Sequence, residues 1–121
     1  MAEHGLSAED AKLVTLARST RARVGAAEGA AVRDSDGRTY AAATVDLPSL
    51  RLSALQVCVG MAVASGSRGL EAAVVLGADG ASAGSAEDVA ALRDLGGPDV
   101  VLHRGDARGA VAETTAVGPG A

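Results

Sequence analysis

The core of this chain must be assembled without large rings. Its 121 residues contain no Phe, no Trp and a single tyrosine, Tyr40. Alanine and valine supply most of the apolar surface, and each buries less area than an aromatic side chain. Hydrophobic residues still make up 48% of the chain against 21% charged, which selects a globular class over disorder. The length suits one domain spanning residues 1–121. A core of small side chains gains little burial per residue, so the partner surfaces of a homo-oligomer are expected to help stabilise it.

Charge narrows the function classes. The net charge is −4, Lys12 is the only lysine, and the arginines are scattered. Nucleic-acid binding normally needs a basic face with stacking aromatics, and both are lacking. Cys58 is the one cysteine, which excludes an internal disulfide and suits a reducing compartment. No basic segment followed by an apolar run opens the chain, and no apolar stretch approaches the ~18 residues of a membrane span. The expectation is a soluble cytoplasmic protein that binds neither membrane nor nucleic acid.

Helix starts punctuate the chain. Ser7-Ala8-Glu9-Asp10 places an N-cap before acids, with a helix expected to about Arg23. Residues 30–33 and 39–45 read as two strands joined by Asp34-Ser35-Asp36-Gly37-Arg38, because Asp-Gly supplies the positive φ a tight hairpin needs. Pro48 interrupts the next stretch. Ser53-Ala54-Leu55-Gln56 has capping-box spacing and opens an apolar helix to about Ala64. Residues 72–76 read as a buried strand, followed by a glycine-rich loop over 77–84. Asp79 in that loop would repel a phosphate, and no P-loop lysine is present. Ser85 caps a helix to about Leu95, and Val100-Val101-Leu102 forms another buried strand. The tail from Ala110 shows little pattern. His103 reads as a strand-end surface histidine, and Cys58 as a core residue.

This order, with several of its residues, resembles the cytidine deaminase family. The hairpin from Ala31 to Tyr40 is similar to the family's "aall-dgrvY" strands. Thr44-Val45-Asp46-Leu47-Pro48-Ser49 stands where the family has N-x-E-N-A-S. The run Gly97 to Leu102 and the ending Val117-Gly118-Pro119-Gly120-Ala121 also match in place. The likeness spans roughly residues 10–121. It implies an α/β fold, a three-layer α-β-α sandwich with a mixed sheet. It also implies a dimer or tetramer, zinc as cofactor and a nucleoside-like substrate.

The resemblance stops at the chemistry. The family carries [CH]-A-E at one helix start and P-C-x-x-C at the next. Three such ligands hold Zn²⁺ and leave a position for water, whose pKa then drops to ~7, while the glutamate moves protons. An ungapped register from Asp46 puts Leu55 at the ligand and Val57 at the glutamate. A two-residue shift puts Ser53 and Leu55 there instead; the ungapped register is the preferred one. The second motif falls on Gly84-Ser85-Ala86-Glu87-Asp88, with Ser85 and Asp88 at the thiol positions. Cys58, His4 and His103 share no ligand spacing, so no metal ligand and no catalytic residue is assigned. The family's ribose-binding Asn and Glu correspond to Thr44 and Asp46. The chain has no asparagine, and no phenylalanine to stack on a base.

The expected protein is a catalytically inactive relative, a small-molecule-binding or scaffolding homo-oligomer without zinc. The competing expectation is an atypical nucleoside deaminase drawing on Asp88, Glu87 and His103, the last also a candidate pair with Asp106. An open polar cleft between the helix tips would favour ligand binding, and one filled by Leu55 and Val57 would favour scaffolding.

Overall fold

The computed structural model describes residues 6–120; His4 and Ala121, singled out above, lie outside them. Helix α1 (Ala8–Val24) starts as the sequence requires, with the Ser7 side chain accepting from the Asp10 N–H at 3.0 Å. Glu9 and Asp10 sit in its first turn and Arg21 and Arg23 in its last, each complementing the helix dipole. Gly25 ends it in the left-handed region. The hairpin follows as β1 (Glu28–Asp34) and β2 (Thr39–Ala43).

Helix α2 (Ala54–Ala64) and helix α3 (Ala86–Gly96) both open on complete capping boxes, at Ser53/Gln56 and Ser85/Asp88. Between them run β5 (Leu70–Gly77) and a single 3-10 turn, Gly80–Ser82. β6 (Val101–Gly105) and β7 (Val111–Ala116) follow α3. The five-stranded sheet has the order β2-β1-β5-β6-β7, with β5 and β6 parallel and the other pairs antiparallel. A parallel pair needs a crossover, and α3 provides it. The sheet is mixed and helices cover both faces, so the α/β sandwich is as expected.

Alternation along the central strands divides the core in two. Ala31, Ala72, Val74 and Leu76 face α1, where they meet Leu13, Val14 and Ala17. Ala30, Val32, Ala73, Val75 and Leu102 face α2 and α3, where they meet Leu55, Cys58 and Leu92. Burial on both faces is why these strands read as unbroken apolar runs. Small side chains let the layers approach closely: a Cβ on Gly29 would collide with the Ala17 carbonyl and the Arg21 Cβ. No helix among the described residues is long and apolar enough to cross a membrane.

Four features depart from the sequence expectation. The second strand stops at Ala43, because Thr44 turns back on Glu28. Pro48 marks the tip of a small hairpin, β3 (Val45–Leu47) with β4 (Leu50–Leu52), rather than an interruption. The tail contains a strand, β7 (Val111–Ala116), on the sheet edge; beyond half-buried Val111 it is exposed throughout and so shows no alternation. His103 is 2% exposed, not a surface residue. Its Nε2 lies 2.8 Å from Asp10 Oδ2 on α1, and its Nδ1 lies 2.8 Å from Thr114 Oγ1 on β7. Asp10 also forms an ion pair with Arg33 at 2.9 Å, bent too far to be an aligned hydrogen bond. Arg33 in turn donates to Glu71 at 2.8 Å. Burial opposes the charge on Asp10, but His103 and Arg33 outweigh it and hold the carboxyl below its usual range.

Asp34 organises the first hairpin. One oxygen accepts the N–H groups of Asp36 and Arg38, both at 2.9 Å; the other accepts the hydroxyls of Ser67 and Tyr40. Burial acts against the charge, yet these four donors keep the carboxyl below its ordinary value of 3.8. Replacing Asp34 with Ala should cost on the order of 2 kcal/mol at neutral pH, since charged acceptors leave costly orphans. A lowered pKa gives stability that is present above pH 3.8 and lost as pH falls through the folded value. Chemical denaturation of the two proteins should therefore converge in strong acid.

Candidate functional site

A cleft of about 440 Å³ opens beside the N-terminus of α2. Its walls are Ala27 and Glu28 from the entry to β1, Thr44, Val45 and Asp46, Arg51 and Leu52 from β4, Ser53, and Ala78 and Asp79 after β5. The volume lies within the usual small-molecule range of ~300–1,000 Å³. Both substrate-side residues named from the sequence, Thr44 and Asp46, line it.

At the cleft's edge the two helix tips touch. Ser53 Oγ donates to Asp88 Oδ1 at 2.5 Å and accepts the Gln56 N–H at 3.0 Å. Asp88 Oδ2 accepts the Ser85 N–H at 3.0 Å, and Ser85 Oγ accepts the Asp88 N–H at 3.1 Å. Asp88 is 1% exposed, so this contact is made out of water. The geometry thus brings Ser53, Ser85 and Asp88 together. Leu55 is fully buried in the core, its Cδ1 aimed at Gly84 behind the tips. Val57 packs half-buried against the same core. Neither lines the cleft, which is therefore open rather than filled by them; its surface is mostly apolar, with polar groups from Glu28, Thr44, Asp46, Arg51, Ser53 and Asp79.

The donors at the tips are two neutral hydroxyls and one carboxylate. Each hydroxyl already accepts an N-cap bond, and each Asp88 oxygen already accepts a hydrogen bond. Zinc selects thiolate, imidazole and free carboxylate, so this set does not fit it.

Thr44 Oγ1 accepts the Glu28 N–H at 3.0 Å and donates to the Glu28 carbonyl at 3.3 Å. Its hydroxyl is occupied in fixing the Glu28 backbone. Asp46 is solvent-exposed and accepts from Arg51 Nε at 3.3 Å, across the β3–β4 hairpin. The enzyme constellation is not assembled. His103 lies on the α1 face of the sheet, Glu87 is exposed on α3, and Asp88 is buried on the other side. Asp106 accepts the N–H groups of Arg108 and Ala110 in the β6–β7 turn and does not pair with His103. Cys58 is buried, as expected, and burial pushes its thiol up to about 12.

Glu28 is the cleft residue that sequence reasoning missed. In the sequence it precedes the strand expected over 30–33 and belongs to no motif. Folding lays its side chain over Gly77, where an added Cβ would come within 3.0 Å of its Cγ. Burial raises the Glu28 carboxyl above its ordinary 4.5; the Gly84 N–H partly offsets this, and Asp88 and Asp79 add to it. A raised acid favours folding below pH 4.5 and loses that contribution as pH rises through the folded value. Glu28→Gln should therefore raise the melting temperature at pH 7, with the gain vanishing below pH 4.5 in a thermal-melt series.

Comparison with known proteins gives a consistent answer on descent. A family profile described as cytidine deaminase-like matches residues 6–109, short of the Val117–Ala121 ending. Comparison with curated proteins gives no match. Among solved structures, the cytidine deaminase of Burkholderia pseudomallei superposes with a TM-score of 0.78 at 22% identity, covering 93% of this chain and 94% of that one. That of Mycobacterium leprae gives 0.70 at 19% identity, covering 88% and 91%. That of Mycobacterium tuberculosis gives 0.65 at 24%, covering 75% and 80%. At these identities the superpositions establish the shared fold, and the profile establishes the lineage: the chain belongs to the cytidine deaminase-like family.

Proposed function

We propose that this chain is a non-deaminating member of its family that binds a small nucleoside-like molecule in the cleft, as a cytoplasmic homo-oligomer. The observation that carries this reading is the Ser53–Asp88 hydrogen bond, made beside an open, mostly apolar cleft with a few polar groups in its walls. The tip donors do not fit a zinc ion, and in either register an apolar residue, Val57 or Leu55, stands where the family has its glutamate. Hydroxide generation and proton shuttling at that point both lack a residue to perform them. What persists is a walled cleft with hydrogen-bonding groups. The family resemblance makes nucleosides the first compounds to try.

Support for self-association comes from α2. Its eleven residues include no charged side chain, and Gln56 is the only polar one. Val63 is 56% exposed on it, and Gly60 faces open space. An uncharged helix face with an exposed valine suits a second copy of this chain. The enzyme reading draws less support, because Asp88, Glu87 and His103 do not meet.

Purified protein tested for bound metal and for ammonia release from cytidine decides between them. The expected result is no stoichiometric zinc and no ammonia, with cytidine raising the melting temperature. Mass action sets the accompanying gain in stability at about 2.7 kcal/mol when ligand is 100 times Kd. Zinc at stoichiometry with chelator-sensitive turnover would overturn the reading. The register has its own test. Ser53→Cys, Ser85→Cys and Asp88→Cys together should create a zinc-binding protein, measurable by competition with a chromogenic chelator. The same set with Leu55→Cys in place of Ser53→Cys should not.

A further inference from the structure

We propose that Glu28 determines what the cleft accepts, and that its ligand carries a positive charge, as an amidinium or a protonated amine. The inference rests on the cleft being a ligand site and adds the chemical class of the ligand. Three carboxylates line the cleft, Glu28, Asp46 and Asp79, against one guanidinium, Arg51. Arg51 and Asp46 already pair with each other at 3.3 Å, which leaves Glu28 and Asp79 uncompensated. No cation pairs with Glu28 among the described residues.

Geometry makes Glu28 the reader rather than a bystander. Thr44 grips its backbone through both N–H and carbonyl, so the residue cannot swing away with a mobile strand end. Gly77 gives its side chain room to lie across the cleft wall. Glu28 shares the cleft wall with Asp79. A half-buried carboxylate without a counter-ion is in an unfavourable state, and a cationic ligand would relieve it. An anion would meet Glu28 and Asp79 together, so phosphorylated nucleotides are disfavoured.

A matched series isolates charge from shape: benzamidine, benzamide and benzoate, with cytidine as a separate arm, measured by calorimetry on the full chain. Benzamidine should bind about tenfold or more tightly than benzamide, the scale of a charge-assisted hydrogen bond. Benzoate should not bind. The preference should shrink with added salt and disappear in Glu28→Gln, while the exposed Asp79→Asn reduces it less. Equal binding of benzamidine and benzamide, or an unchanged preference in Glu28→Gln, overturns the inference, and cytidine binding in that case leaves the nucleoside reading standing. Benzamidine binding that needs Glu28, without cytidine binding, supports the inference and removes the nucleoside as ligand. Binding by none of the four compounds overturns both.

Discussion

The hydrogen bond from Ser53 to Asp88 joins two helix starts that the chain reaches 35 residues apart. Much of the rest follows from it. It fixes how α2 and α3 meet, and so where the cleft's edge lies. It also consumes the polar atoms that would otherwise face the gap. Each N-cap residue here serves its own helix first, and the contact between helices is made with what remains. Such an arrangement is self-sufficient: every hydroxyl and carboxylate oxygen at the tips has a protein partner, so nothing there calls for an ion.

Local chemistry was legible in the sequence. The three cap serines, Ser7, Ser53 and Ser85, each sit where their pattern placed them, and the Asp-Gly turn forms its hairpin. These signals act over three or four residues, which is the range a linear reading can see. The features that escaped it depend on distant neighbours or on exposure. β7 has no buried face to impose alternation. His103 looked like a polar strand end because its partner Asp10 lies 93 positions away. Glu28 became a cleft residue only when β5 brought Gly77 beneath it. Three-residue strands such as β3 and β4 are too short to carry a period.

The absence of large rings shapes both surface and interior. Alanines on β1 and β5, with Gly29 beneath Ala17, bring α1 close to the sheet and compensate in contact for what they lack in area. The opposite layer uses Leu55, Cys58 and Leu92 in the same way. Thin layers leave less apolar surface hidden within one chain, and the uncharged face of α2 is where that shortfall shows.

One consequence concerns the first helix. Asp10 is the link between α1 and a polar line running through His103 to the edge strand and through Arg33 to the middle of the sheet. Were α1 to peel away, the His103 imidazole and the Arg33 guanidinium would lose their shared carboxylate, and the outermost strand would lose its indirect link to the helix through Thr114. The first helix and the edge strand are therefore joined across the sheet by one buried side chain, so loosening of either would weaken the hold on the other.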